Sequence, residues 1–146
     1  MNILILHGPN MNLIGLRSAQ IGERITLDKI DTALNRQAKK LNIVLKTLQT
    51  HKVSKVITFL QRNRNWADGL LFSPGAWSMC QHDIFDTLML TKTPFIEIFP
   101  SAQFMLEKYA TNSIFHKIAL DMVIDHPITA YTEGLKKLHA VLLTDQ

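Results

Sequence analysis

Cysteine is almost absent from this chain of 146 residues. The single Cys80 excludes a framework of intrachain disulfides and is compatible with a reducing cytoplasm. We expect its thiol to be buried and to pack as a small apolar group, not to act as a nucleophile.

Long hydrophobic runs are absent as well. Apolar runs such as residues 3–6 and 70–72 have the length of strands, so we expect no segment that spans a membrane. The first residues lack the basic region and the small-residue cleavage site of a signal peptide, and we therefore expect a cytoplasmic protein. Apolar residues make up 47% of the chain and charged residues 19%, which excludes intrinsic disorder.

Acidic residues are fewer than basic ones, and the net charge of +4 admits an anionic partner. Arg62, Arg64 and Trp66 form the only local basic cluster, which could contact phosphates and stack a base. We favour a solvated loop after a helix because such short patterns are weakly specific. Small anionic substrates explain a basic surface equally well, and we expect no nucleic-acid partner.

Strand-like runs alternate with segments of helical period along the whole chain. The predicted strands are residues 2–6, 43–48, 69–72, 95–99 and 118–124, and the predicted helices are residues 27–41, 53–60, 79–90 and 129–143. Thr26 is a predicted helix cap. This alternation predicts a single α/β domain over residues 1–146, a flavodoxin-like three-layer sandwich whose parallel sheet has the order 2-1-3-4-5.

Polar residues follow or interrupt the predicted strands, where ligands bind in such sheets. Residues 8–17 supply two asparagines and an arginine but match neither glycine-rich phosphate-binding motif. Glu97 lies among apolar residues of the fourth strand, and a buried carboxylate is costly unless it is paired. We expect it to contact a hydroxyl or a cation such as Arg17, although a wet strand end without a function is the alternative.

Three segments, taken together, resemble the type II 3-dehydroquinate dehydratase family. Residues 8–17 are similar to the family's opening N-G-P-N-L-N-x-L-G-x-R, residues 67–77 to its A-D-G segment ending in N-P-G-A, and residues 94–101 to its P-x-(I/V)-E-V-H-(L/I)-S. The resemblance implies that water is eliminated from 3-dehydroquinate through an enolate, in the shikimate or quinate route. It also implies that no metal or organic cofactor is used, and that the chain forms a homo-dodecamer built from trimers.

Several functional positions implied by the resemblance are retained. Asn10 corresponds to the asparagine that holds a water against the enolate oxygen, and Arg17 to the arginine that activates the catalytic base. Asp86 corresponds to an aspartate that reaches the site of a neighbouring subunit. The positions that the resemblance assigns to substrate binding are Ser73, Met79, Asp86, Glu97, Pro100 and Ser101.

The positions of the catalytic base and acid hold residues that cannot transfer a proton. The tyrosine that removes the proton alpha to the ketone corresponds to Gly22, and the histidine that helps water to leave corresponds to Phe99. Four binding positions are also changed: Ser73 stands for an asparagine, Met79 for a histidine, and Leu106 and Ala110 for two arginines.

Three functions follow from these observations. The first is a dehydratase-like protein of very weak or absent activity that binds a small anionic cyclic molecule or has a regulatory role. The second is a working hydro-lyase with a substituted base, for which the candidates are His7, Glu23, His51 and His82. The third is a nucleic-acid-binding module.

The predicted strand order also predicts which residues lie close together. This prediction tests whether the three motifs are matched correctly. Arg17 and Glu97 should lie in one cleft beside Asn10 and Ser101. Phe99 and Met79 should line the same cleft and make it more apolar.

Overall fold

The computed structural model describes residues 1–145 and contains a parallel sheet of five strands in the order β2-β1-β3-β4-β5. The strands are β1 (Asn2–His7), β2 (Val44–Gln49), β3 (Gly69–Ser73), β4 (Phe95–Pro100) and β5 (Asp121–Asp125). The helices are α1 (Ile14–Ala19), α2 (Leu27–Leu41), α3 (Val53–Arg62), α4 (His82–Thr91), α5 (Lys108–Thr111) and α6 (Pro127–Thr144). The predicted α/β class and strand order are confirmed.

The two faces of the sheet carry separate apolar layers. Ile3 and Ile5 pack with α2 and α6 on one face, whereas Leu4 and Leu6 pack with α3 and α4 on the other. Because side chains alternate along a strand, His7 continues the face covered by α2 and α6. By the same rule Glu97 lies on the opposite face, with Phe95.

The carboxyl ends of the central strands meet at one edge of the sheet. His7 is aligned with Ser73 across β1 and β3, and Phe72 is aligned with Glu97 across β3 and β4. A Cβ added to Gly8 would lie 2.7 Å from the carbonyl oxygens of Ser73 and Pro74. The first loop therefore leaves β1 in contact with the backbone that leaves β3.

The start of α2 follows the predicted capping pattern. The side chain of Thr26 accepts a hydrogen bond from the backbone N–H of Lys29, and Asp28 lies in the first turn. Ile30, Leu34 and Ala38 form its buried face.

Two element boundaries differ from the predictions. Residues Gly75–Met79 form a 3₁₀ turn, and α4 begins only at His82, because Cys80 has an extended φ of −154° that interrupts the helix. Strand β5 begins at Asp121 because the preceding Ile114–Lys117 form another 3₁₀ turn.

Two further predictions are corrected. Helix α6 begins at Pro127, whose fixed φ suits the first turn of a helix, and not at residue 129. Cys80 is exposed, so the expected burial of its thiol is wrong. Among residues 1–145, no helix combines the length and apolar character needed to cross a bilayer.

Candidate functional site

A cleft of about 460 Å³ opens at the carboxyl edge of the sheet, between the first loop with α1 and the segment that follows β4. The first loop and α1 form one wall of the cleft. Asn10 lies in this loop and has a left-handed conformation, with φ of 69°. Leu13, Leu16, Arg17 and Gln20 follow at spacings of three and four residues, so they share one helical face, and all four line the cleft. Arg17 is exposed and makes no side-chain hydrogen bond or ion pair with residues 1–145.

The opposite wall comes from residues 103–109, including Phe104, Leu106 and Tyr109. Leu106 is exposed to the cleft, whereas Phe104 is buried. The hydroxyl of Ser78 donates to the backbone carbonyl of Tyr109 at 2.7 Å. This bond fixes the second wall to the 3₁₀ turn that follows β3.

The structure brings together only part of the predicted site. Asn10 and Arg17 line the cleft, and so does Leu106 at one of the altered arginine positions. None of the other predicted substrate-binding positions lines it: Ser73, Met79, Asp86, Glu97, Pro100 and Ser101. Asp86 is exposed on the outer face of α4.

The prediction that Arg17 and Glu97 share the cleft is wrong for this chain. Glu97 is fully buried on the sheet face covered by α3 and α4. Its partners are a hydroxyl and an imidazole instead of a guanidinium: Ser113 donates to Oε2 at 2.6 Å, and His116 Nδ1 lies 2.5 Å from Oε1.

A short hydrogen bond joins Glu97 and His116. His116 Nε2 lies 2.6 Å from the carbonyl oxygen of Ala110, which can only accept, so Nε2 carries a hydrogen. The proton between the two side chains then belongs either to Nδ1 or to Glu97. Burial raises the pKa of the Glu97 carboxyl, although the hydrogen bond from Ser113 and the proximity of His116 act in the opposite direction.

Phe99 and Met79 do not line the cleft either, so that prediction is also wrong. Phe99 is 1% exposed, so its side chain lies in the interior. An apolar ring is more stable there than in contact with solvent at the strand end. Met79 is partly exposed, at the end of the 3₁₀ turn after β3. Gly22, which the resemblance matches to the base, has φ of +78° and is a backbone turn without a side chain.

His7 cannot serve as a freely accessible base. It is fully buried, with Nδ1 2.7 Å from the Tyr131 hydroxyl and Nε2 2.8 Å from Asp31 Oδ1. Burial raises the pKa of Tyr131 well above its usual range, and the negative charge of Asp31 adds to the effect. Tyr131 therefore stays a neutral hydroxyl, and the network acts as a polar support beneath the strand ends.

Of the other candidate bases, Glu23 alone lies beside a cleft wall. Its Oε2 is 3.4 Å from Nε2 of His126, and the His126 ring packs edge-on against Phe104 at 5.3 Å between centroids. His51 and His82 are exposed and lie outside the cleft lining.

Sequence reasoning missed Ser113, His116 and His126, which supply the partners of the two glutamates. The available signal was the buried Glu97 itself, since a carboxylate in an apolar strand requires donors from another part of the chain. Within residues 1–145 no group of three or more His, Cys, Asp or Glu side chains is placed to hold a metal ion.

Comparison with known proteins gives one consistent result. The family model described as Dehydroquinase class II matches residues 1–139. The 3-dehydroquinate dehydratase of Geotalea daltonii is 30% identical over 138 residues, which cover 94% of this chain and 96% of the relative. The one from Dictyoglomus turgidum is 27% identical over 136 residues, with 93% and 94% covered.

A solved structure agrees with the fold. The type II dehydroquinase of Butyrivibrio crossotus superposes with a TM-score of 0.84 at 24% sequence identity, covering 94% of this chain and 97% of that one. The sheet order, the three sequence motifs and the match over nearly the whole length lead to the same assignment. The chain belongs to the class II dehydroquinase family.

Proposed function

We propose that this chain is a dehydratase-like protein whose cleft binds a small anionic cyclic molecule, and whose dehydration of 3-dehydroquinate is very weak or absent. The observation that carries the proposal is the composition of the cleft. Arg17 and Tyr109 are the only titratable side chains among its lining residues, and the base and acid positions are Gly22 and Phe99. The cleft keeps a cation that can attract an anion, whereas the position matched to the base has no side chain and Tyr109 is the only other titratable side chain among the lining residues.

The expected loss of rate is large. A positioned general acid or base contributes roughly a factor of 10² to 10⁴. Two groups that act on one elimination do not contribute independently, so the combined loss is smaller than the product of the two factors. Arg17 and Asn10 can still orient a carboxylate or an enolate oxygen, since a guanidinium and an amide both donate hydrogen bonds.

A working hydro-lyase with substituted groups is the second candidate. The Glu23–His126 pair favours it, because Glu23 follows the base position directly and His126 contacts the cleft residue Phe104. Loss of turnover in both Glu23→Gln and His126→Gln, from a protein that turns over at an ordinary rate, would support this second candidate.

The third candidate, nucleic-acid binding, is disfavoured by the local contacts of the basic cluster. The ammonium group of Lys46 lies 4.0 Å from the centre of the Trp66 ring, so one face of that ring already has a cation on it. We propose no nucleic-acid partner, no cofactor, a cytoplasmic location and a homo-dodecamer. Exposed Asp86 is available for the contact between subunits.

The proposal is tested by restoring the missing groups. Phe99→His, Gly22→Tyr and the double variant are compared with the unaltered protein for formation of dehydroshikimate, followed by the absorbance of the conjugated product. We expect the double variant to exceed either single variant, because the base and the acid act on one elimination.

The expected recovery is modest for two structural reasons, the first being that Phe99 is buried and does not line the cleft. Gly22 has open space around a built Cβ, but its φ of +78° is unfavourable for tyrosine. A double variant no faster than the unaltered protein, with its fold intact by circular dichroism, would contradict the assignment of these two positions.

A further inference from the structure

The second wall of the cleft carries a phenol that the first wall lacks. Tyr109 lines the cleft from the segment that follows β4, opposite the wall that carries Arg17. Tyr109 is half-buried, and its hydroxyl makes no hydrogen bond with residues 1–145. A phenol both donates and accepts hydrogen bonds. The hydroxyl of Tyr109 can therefore bond a ligand without breaking a bond within the chain.

Two side chains hold the backbone at Tyr109. The hydroxyl of the fully buried Ser78 donates to the carbonyl of Tyr109 at 2.7 Å. Nε2 of His116 lies 2.6 Å from the carbonyl oxygen of Ala110, the next residue. Helix α5 has only four residues, and the last carbonyls of a helix have no partner within it. Ser78 and His116 therefore fix a part of the chain that a short helix by itself leaves free.

His116 is itself held by the sheet. Its Nδ1 lies 2.5 Å from Oε1 of Glu97, and Oε2 of Glu97 accepts from the hydroxyl of Ser113 at 2.6 Å. Glu97 is fully buried in β4 and makes no contact with the cleft. A side chain that binds a ligand has to be kept within about 0.5 Å of its working position by such supporting bonds. Strand β4 therefore determines, through His116, where the backbone of Tyr109 lies beside the cleft.

We propose that Tyr109 is a ligand-binding residue of the cleft, and that His116, held by Glu97, is its positioning residue. Arg17 contacts the carboxylate of a small cyclic anion from the first wall. The hydroxyl of Tyr109 bonds a hydroxyl of the same ligand from the second wall. The inference rests on the proposed function in taking a small cyclic anion as the ligand, and it is independent of whether any dehydration takes place.

Quinate is the probe, because it carries one carboxylate and several ring hydroxyls but has no ketone, so its binding is measured without turnover. Dissociation constants are measured by isothermal titration calorimetry on the full chain. Tyr109→Phe should weaken quinate about threefold to tenfold, the effect of losing one neutral hydrogen bond. Thr111→Val is the matched control, because it removes an exposed hydroxyl from the same helix, outside the cleft lining. Unchanged affinity in Tyr109→Phe, or an equal loss in Thr111→Val, would overturn the inference.

Two variants of His116 test its positioning role. The side-chain nitrogen of asparagine lies near the place of Nδ1, and that of glutamine lies near the place of Nε2. His116→Asn therefore keeps a donor beside Glu97 and loses the one to Ala110, whereas His116→Gln keeps a donor beside the Ala110 carbonyl. We expect His116→Asn to bind quinate more weakly than His116→Gln does. Equal affinities of the two variants would contradict the positioning role.

A double-mutant cycle separates positioning from a general structural role. When Tyr109 is already phenylalanine, His116→Asn should cause no further loss of quinate affinity, because the hydroxyl that it positions is gone. The same loss in both backgrounds would show that His116 acts on the fold and not through Tyr109, and would overturn its assigned role.

Arg17→Gln distinguishes this inference from the proposed function. The proposed function predicts that this variant weakens quinate about tenfold or more, since a bond to a charged group is lost. If Arg17→Gln weakens quinate and Tyr109→Phe does not, this inference alone is wrong. If quinate does not bind the unaltered protein, the proposed binding of a cyclic anion is wrong and this inference with it. If Tyr109→Phe weakens quinate and Arg17→Gln does not, the anion contact of the proposed function is wrong and Tyr109 remains a ligand-binding residue.

Discussion

At the scale of single residues, Glu97 shows how a retained residue can change its surroundings. The resemblance assigned it to substrate binding, but in this chain both carboxylate oxygens already have partners in Ser113 and His116. His116 also donates a hydrogen bond to the backbone carbonyl of Ala110, next to the cleft residue Tyr109. Glu97 therefore links β4, through His116, to the segment that forms the second wall of the cleft. Its present contacts are structural.

The raised pKa of Glu97 predicts how its contribution to stability depends on pH. A carboxyl whose pKa is higher in the folded than in the unfolded chain binds its proton more tightly when folded. The contribution of Glu97 to stability is then complete below a pH of about 4.5, the pKa of the carboxyl in the unfolded chain. It is lost as pH rises through the raised pKa of the folded chain. The stability of the unaltered protein relative to Glu97→Gln should therefore fall as pH increases above that value.

Urea unfolding of both proteins at a series of pH values measures this difference. Glu133→Gln serves as the control, since Glu133 is an exposed glutamate on α6. The difference in free energy of unfolding between Glu133→Gln and the unaltered protein should not fall with pH in the same way. If the stability of the unaltered protein relative to Glu97→Gln rises with pH, the hydrogen bonds from Ser113 and His116 outweigh burial in setting the pKa of Glu97. That result would contradict the prediction.

At the scale of elements, the close approach of the two central strand ends determines the shape of the first loop. The N–H of Gly8 donates to the carbonyl of Ser73 at 2.8 Å, and no side chain fits between them. The contact atoms are backbone oxygens, which cannot turn aside as a flexible side chain would.

Gly8→Ala should therefore separate the ends of β1 and β3. We expect a loss of about 1–3 kcal/mol in the free energy of unfolding, as is typical when extra volume is forced into a packed site. The same variant should weaken any ligand of the cleft, because Asn10 and Arg17 follow on the displaced loop. Unchanged stability in denaturant titrations would contradict the close approach.

The sequence predicted the elements that depend on local patterns of residues, and it missed features that depend on contacts between distant parts of the chain. Alternating apolar runs were enough for the five-strand order, and Thr26 was enough for the start of α2. Helix α1 was not predicted because its six residues are too few for a clear periodic pattern. The start of β5 was misplaced because Ile118 and Ala119 are apolar but pack on the core from outside the strand.

The site was predicted less completely for a related reason. Asn10 and Arg17 lie in a motif whose loop follows β1 directly, so their place at the strand end could be inferred. The partners of Glu97 come from 16 and 19 residues further along, through a segment of short turns. Their position depends on how that segment folds back, which no local pattern determines.

At the scale of the whole molecule, the proposed homo-dodecamer is a prediction about surfaces. Asp86 is exposed on α4, next to the exposed Met89 and Leu90, which is the setting expected for a contact between subunits. Light scattering at micromolar concentration should report a closed assembly, and Asp86→Lys should reduce its mass by reversing the charge at the expected contact between subunits. A monomeric unaltered protein would contradict the proposal.

The central claim is that this chain retains the fold of its family and an arginine in its cleft, while the positions matched to the catalytic base and acid hold Gly22 and Phe99, which cannot transfer a proton. Its most direct test is the turnover number of the unaltered protein with 3-dehydroquinate at saturation. Enzymes typically turn over at about 1 to 10³ per second. A missing general base or acid costs a factor of roughly 10² to 10⁴, so a typical turnover number of about 10 per second would fall to about 0.1 per second or lower. Turnover within the ordinary enzymatic range would contradict the account.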